Sequence, residues 1–183
     1  MISLASGQDA LGKKIADAAR SQVGKTLKYD PSYRALDYPN GDVAISVGVC
    51  TDVVIRALRS SLGLDLQKSV HEDMKNNFPK YPQIWRLRAP DKNIDHRRVP
   101  NLKVFFKRQG YELTVSQDQK NYKAGDLVTC IVPPHLPHIM VVSDRLTDDG
   151  RPLVIHNIGS GAKEEDRLFD FKLTGHYRLK KIE

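Results

Sequence analysis

The sequence predicts an α+β fold, with helices leading and a mainly antiparallel sheet following, from three features of its 183 residues. Apolar residues in the first half recur at helical spacing. Short β-type runs, cut by proline and glycine turns, fill the second half. No internal repeat or low-complexity segment interrupts either half. The length suits one domain spanning residues 1–183, large enough to bury a sizeable core.

In chain order, Gln8 to Val23 places Ala10, Leu11, Ile15, Ala16, Ala19 and Val23 on one helical face, and Gly24 supplies a stop. Lys25 to Val47 is rich in Tyr, Pro, Asp and Gly and reads as a long ordered loop, the kind of segment that often carries function. Thr51 to Leu62 resumes helical spacing at Val53, Val54, Ala57, Leu58 and Leu62, with Gly63 at its end; Cys50 falls on the same stripe. Ser69 to Asn77 reads as a short helix with Ser69 as N-cap and Glu72 closing a capping box, broken by Pro79 and Pro82. Val99 to Arg108 carries Leu102, Val104, Phe105 and Phe106 and ends near Gly110. Then the period changes. Asp126–Val132, His138–Ser143, Leu153–Asn157 and Gly175–Ile182 read as strands, the second and third joined by a turn around Asp148-Asp149-Gly150.

Net charge is +7, with acidic residues mixed among the basic ones rather than segregated, which argues for a solvated mixed surface over a nucleic-acid stripe. The longest stretch free of Asp, Glu, Lys and Arg, Leu127 to Ser143, is interrupted by Pro133, Pro134 and Pro137, so no membrane span is expected. The N-terminus, Met1 to Ser6, lacks the basic start and apolar segment of a signal peptide; the sequence predicts either a cytosolic protein or one whose leader has been removed.

The chemistry centres on Cys50. A helix N-terminus presents free N–H groups and a partial positive charge, which favour the nucleophilic thiolate. A thiolate hydrolase also needs an imidazole oriented by a third polar group. His138 opens one strand and His156 closes the next, so antiparallel pairing brings both to one end of the sheet. The same residues also suit a plainer role, a small buried thiol and half-buried strand histidines. Cys130 lies in the β-type run Leu127–Val132, where a buried inert thiol is expected.

The runs Gly48-Val49-Cys50-Thr51-Asp52-Val53-Val54-Ile55-Arg56, Val70-His71-Glu72-Asp73-Met74, Asn93 to Leu102, His156-Asn157-Ile158-Gly159 and Gly175-His176-Tyr177-Arg178 resemble the YijF-like family of bacterial domains of unknown function. More distantly they resemble NlpC-type papain-like cysteine hydrolases, which cut amide bonds in peptidoglycan. That resemblance implies a papain-like fold and a Cys50/His138/His156 triad that needs no metal and no cofactor. It also implies an oxyanion donor from Tyr29 or Tyr33 in the long loop, since the wider group has a tyrosine upstream of its cysteine. Arg97 and Arg98 either bind the carboxylates of stem peptides or bridge to Asp91 and Asp95. Asp52 reads as a first-turn carboxylate rather than a catalytic one. Here Val49 precedes the cysteine and Thr51-Asp52 follow it, where the wider group has Asp and Ser-Gly, and Met140 replaces a common glycine.

The implied partners are peptidoglycan or its stem peptides and, for an enzyme that attacks a competitor, a dedicated inhibitor protein; nucleic acid is not among them, and a monomer is expected. The implied location is the periplasm or cell exterior. Two rival functions keep their own signatures. His135, His138, His156 and Cys50 supply enough donors for a zinc-dependent amidase, and the positive charge suits a non-catalytic module that holds cell wall or nucleic acid. A Cys50–Cys130 disulfide would remove the nucleophile.

Overall fold

The computed structural model describes residues 4–180, with side chains from residue 7 onward. Four helices, α1 (Leu4–Arg20), α2 (Cys50–Leu62), α3 (Leu66–Asn77) and α4 (Val99–Arg108), lie with a six-stranded sheet ordered β3-β8-β4-β5-β6-β7. Its strands are β3 (Glu112–Leu113), β4 (Leu127–Val132), β5 (Leu136–Leu146), β6 (Pro152–Asn157), β7 (Ala162–Glu165) and β8 (Lys172–Tyr177). Every neighbouring pair is antiparallel. A separate parallel pair, β1 (Lys28–Tyr29) with β2 (Val47–Gly48), gathers the two ends of the long loop. The predicted α+β class and the helix-then-sheet order are therefore observed.

The sheet is covered on both faces, which explains the unbroken apolar run Ile139-Met140-Val141-Val142. Ile139 and Val141, with Leu127 and Ile155, pack against Val53, Val54, Ala57 and Leu58 of α2 and Ile15 and Ala19 of α1. Met140 and Val142 point the other way, into a second cluster with Val128, Cys130, Val154 and Leu168. Burying side chains such as Val53, Val54 and Leu58 stabilises the α2 contact by about 1.5–3 kcal/mol each. α1 crosses close to the strand entry: a Cβ on Gly12 would lie 2.1 Å from the Ala124 carbonyl oxygen, so only glycine fits.

Element ends follow local chemistry. Gly63, at φ 67°, closes α2, with Gly63 N–H donating to the Arg59 carbonyl and Leu64 N–H to that of Leu58. α4 spans the predicted residues, entered through Pro100 in its first turn. α3 corrects the expectation for Ser69: its N-cap is Asp65, whose carboxylate accepts the Lys68 N–H at 3.3 Å, because the buried Leu66 already belongs to the helix. α1 ends at Arg20 rather than Val23, which is 41% exposed and has no core to join. The last strand lies earlier than expected, at Lys172–Tyr177, where its pairing with β4 places it; residues 181–182 of the expected strand lie outside the described residues.

Candidate active site

The N-terminus of α2 is held from three sides. Val49 is extended, and its N–H donates to Asp52 Oδ2 at 2.6 Å, half of a capping box made without a side chain on the cap residue. Arg97 grips the same carboxylate in a bidentate pair, Nε to Oδ1 at 3.0 Å and Nη2 to Oδ2 at 2.9 Å, with both side chains almost fully buried. Arg97 also donates to the backbone carbonyls of Ser32 and Asp30 in the long loop. From the sheet side, Asn157 Nδ2 donates to the Gly48 carbonyl at 2.9 Å. Cys50 is thus the first helical residue on a rigidly braced turn.

Cys50, 4% exposed, lines a cleft of about 320 Å³ walled by Tyr29, Ile84, Trp85, Ile94, Arg98 and Pro137. The N–H groups of Ile139, Thr51 and Cys50 itself favour its charged form, but burial outweighs them and, aided by the nearby Asp52 charge, pushes the thiol up to about 11. The helix end does favour the thiolate, as expected, but burial and the Asp52 charge act against it and favour the protonated form. Tyr29 shares the cleft and is pushed up to about 12 by burial and by the neighbouring Cys50 and Asp52 charges.

The two predicted histidines do meet. His138 Nε2 lies 2.8 Å from His156 Nδ1, with the rings edge to face. Burial pushes His138 down to about 3, with the His156 charge adding to it. His156 is lowered, chiefly by burial, against the pull of a carboxylate. That carboxylate is Glu165, whose Oε1 is 3.1 Å from His156 Nε2. Sequence reasoning missed Glu165 because β7 is a four-residue edge strand with no clear alternation. The signal was available in the Gly159-Ser160-Gly161 turn, which sends a strand back beside His156.

Among the described residues no hydrogen bond joins Cys50 to either histidine. Alternation along β5 sets His138 with Met140 and Val142, on the side of the strand opposite Ile139 and the α2 contact. Two observations nevertheless place the start of β5, where His138 lies, near Cys50. Pro137, adjacent to His138 in the chain, lines the Cys50 cleft. Cys130, the cross-strand partner of His138, is close enough to Cys50 for its own thiol, raised to about 12 mainly by burial, to feel the Cys50 charge.

The remaining predicted residues divide. Arg98 lines the cleft, its guanidinium 4.1 Å over the Trp85 ring and paired with Asp95 at 3.0 Å. Asp52 and Arg97 pair with each other and brace the helix start, and Arg97 also lines the cleft. Tyr33 stands apart from the cleft: its hydroxyl donates to Asp91 and accepts from Asn93 Nδ2, pinning the long loop. His71, Glu72 and Asp73 do not converge; Asp73 binds Arg108 and Tyr81, while His71 packs edge-on to Tyr38. Cys50 and Cys130 are both free thiols. The zinc alternative finds no support in the donor geometry, for among the described residues no group of three or more His, Cys, Asp or Glu side chains is placed to hold a metal ion.

Fold and site together define an α+β protein with a buried cysteine at a helix start beside a carboxylate-backed histidine pair. A sequence profile of DUF1287, a domain of unknown function, matches residues 16–179, and the chain belongs to that family. It is 58% identical over 164 residues, 90% of this chain and 80% of the relative, to the uncharacterized protein YijF of Escherichia coli (strain K12). No described helix is long and apolar enough to cross a membrane.

Proposed function

We propose that the protein is a cysteine hydrolase that cleaves amide bonds in bacterial peptidoglycan, built on an NlpC-type papain-like plan. The observation that carries this reading is the placement of Cys50 at the start of a braced helix, in a cleft bounded by the end of β5, with His138 bonded to His156 at 2.8 Å on that strand and the next.

In this reading Cys50 Sγ attacks the amide carbonyl carbon while its proton passes to His138 Nδ1, the imidazole nitrogen not engaged by His156. The thiol and both imidazoles are uncharged at neutral pH, so proton transfer accompanies attack instead of preceding it. The Cys50 N–H, with Tyr29 beside it, receives the developing oxyanion; one well-placed donor contributes about 3 kcal/mol to such a transition state. Collapse of the tetrahedral adduct breaks the C–N bond, His138 returns its proton to the leaving amine, and water attacking the thioester regenerates the thiol. Arg98, held on Trp85 at the cleft wall, offers a cation to a stem-peptide carboxylate. The substrate places the working enzyme in the periplasm or outside the cell, with a dedicated inhibitor protein as partner if the wall attacked is a competitor's.

Incubating the protein and its Cys50→Ala variant with purified peptidoglycan, and separating soluble products by chromatography with mass detection, tests the reading. Fragments from the unaltered protein alone support it, and their masses name the bond. Equal release by both proteins, or release by neither, overturns it.

A further inference from the structure

We propose that Glu165 is a positioning residue that fixes which nitrogen of His138 carries the proton, leaving Nδ1 with its lone pair free. The inference rests on the reading of His138 as the base and extends it by one residue that acts only through others.

An ionised carboxylate only accepts hydrogen bonds, so the 3.1 Å contact between Glu165 Oε1 and His156 requires the proton of that ring to sit on Nε2. Burial keeps His156 neutral, so its Nδ1 is then an acceptor. The 2.8 Å contact can form only if His138 donates from Nε2. His138 is neutral as well, and its Nδ1 is left unprotonated. Without Glu165 the pair is symmetric, and the opposite arrangement, with the proton on His138 Nδ1, satisfies the central hydrogen bond equally well. A base so protonated cannot take the cysteine proton.

The surroundings support the assignment. His156 is fully buried, and Glu165 is reached diagonally from β7, where Val154 opposes it. The charged and titratable groups around this relay are His138 on β5, Cys130 opposite it on β4, Lys163 opposite His156 on β7, and Arg167 and Asp170 beyond β7. Arg167 Nε sits 3.5 Å from Glu165 Oε1, on the same oxygen that meets His156. The second Glu165 oxygen makes no hydrogen bond among the described residues, which leaves the carboxylate free to pivot toward His156.

The test reads the protons directly. Long-range ¹H–¹⁵N correlation spectra of the ¹⁵N-labelled protein at pH 7 distinguish protonated from unprotonated ring nitrogens without any substrate. The expected pattern is protonated Nε2 and unprotonated Nδ1 on both His138 and His156. In Glu165→Gln, whose amide both donates and accepts, and in Glu165→Ala, the pattern should become mixed or inverted, while Glu165→Asp retains part of the preference. A protonated His138 Nδ1 in the unaltered protein, or a pattern unchanged in both Gln and Ala variants, overturns the proposal. In peptidoglycan assays Glu165→Gln should lower kcat by about 10- to 100-fold with little change in KM. A protein inactive on peptidoglycan that still shows the expected nitrogens would remove the hydrolase reading alone, whereas an active one with the opposite tautomer would remove this proposal alone.

Discussion

Cys50 and Cys130 are the same chemical group in two settings. Both are buried thiols raised by desolvation, to about 11 and about 12. Cys130 is wholly enclosed among Val128, Met140, Val142 and Leu168 in the middle of a sheet. Cys50 opens a helix, faces three backbone N–H groups and lines a cleft. Burial alone therefore does not mark a thiol as inert or reactive. What separates the two is access for a substrate and the presence of donors aimed where negative charge must develop.

The largest expected difference between them is in turnover. Cys50→Ala should abolish peptidoglycan cleavage, a loss of at least ~10³-fold, with circular dichroism unchanged. Cys130→Ala should keep activity within about twofold and cost about 1 kcal/mol of stability by denaturant titration. Comparable activity losses in the two variants would show that cleft access and aimed donors do not separate the two thiols.

The second difference is the scaffold. Cys130 is held by the strand ladder, whereas Cys50 depends on the buried Asp52–Arg97 pair. Asp52→Asn leaves the Arg97 guanidinium buried without its counter-charge, and breaking one side of such a pair costs about 3–5 kcal/mol. We expect a clear drop in thermal midpoint and partial loss of activity. Combining Asp52→Asn with Arg97→Met should recover much of the stability, because the unpaired charge goes. A stable, inactive Asp52→Asn would instead make the carboxylate part of the chemistry.

How much of this was legible in the sequence depends on how local the cause was. α2 and α4 were readable because apolar spacing, a Gly63 stop and Pro100 in the first turn all act within a few residues. His138 and His156 could be paired because one short turn joins β5 to β6, which fixes their relative ends. The register that sets their faces was less accessible: a strand buried on both sides shows no alternation, so Ile139-Met140-Val141-Val142 does not reveal which side His138 takes. Arg97 read as a substrate-binding candidate because its partner Asp52 is 45 residues away. The raised Cys50 thiol was legible only in part: the helix end and the Asp52 carboxylate are local, whereas the burial that dominates comes from a core assembled only by the fold.

The smallest and sharpest contrast lies in how the two thiols meet an alkylating agent. Iodoacetamide reacts with thiolate, whose fraction rises tenfold per pH unit while the pH stays well below the thiol's own value. Cys50, at about 11, should therefore label about tenfold faster with each unit from pH 7 to 9, and Cys130 should label only after unfolding. A preformed thiolate–imidazolium pair would give a flat profile over that range, since its thiolate would be complete from the start. The same shift has a consequence for stability. The folded protein holds the Cys50 proton to about 11 and the Cys130 proton to about 12, while the unfolded chain releases both near 9.0, so between those values the unfolded state binds fewer protons and stability falls as pH rises. Labelling is consequently read below pH 9, where the fold is intact and any modification of Cys50 passes through the cleft. Mass mapping of the alkylated residue at each pH decides between a thiol that waits protonated for its substrate and one already ionised.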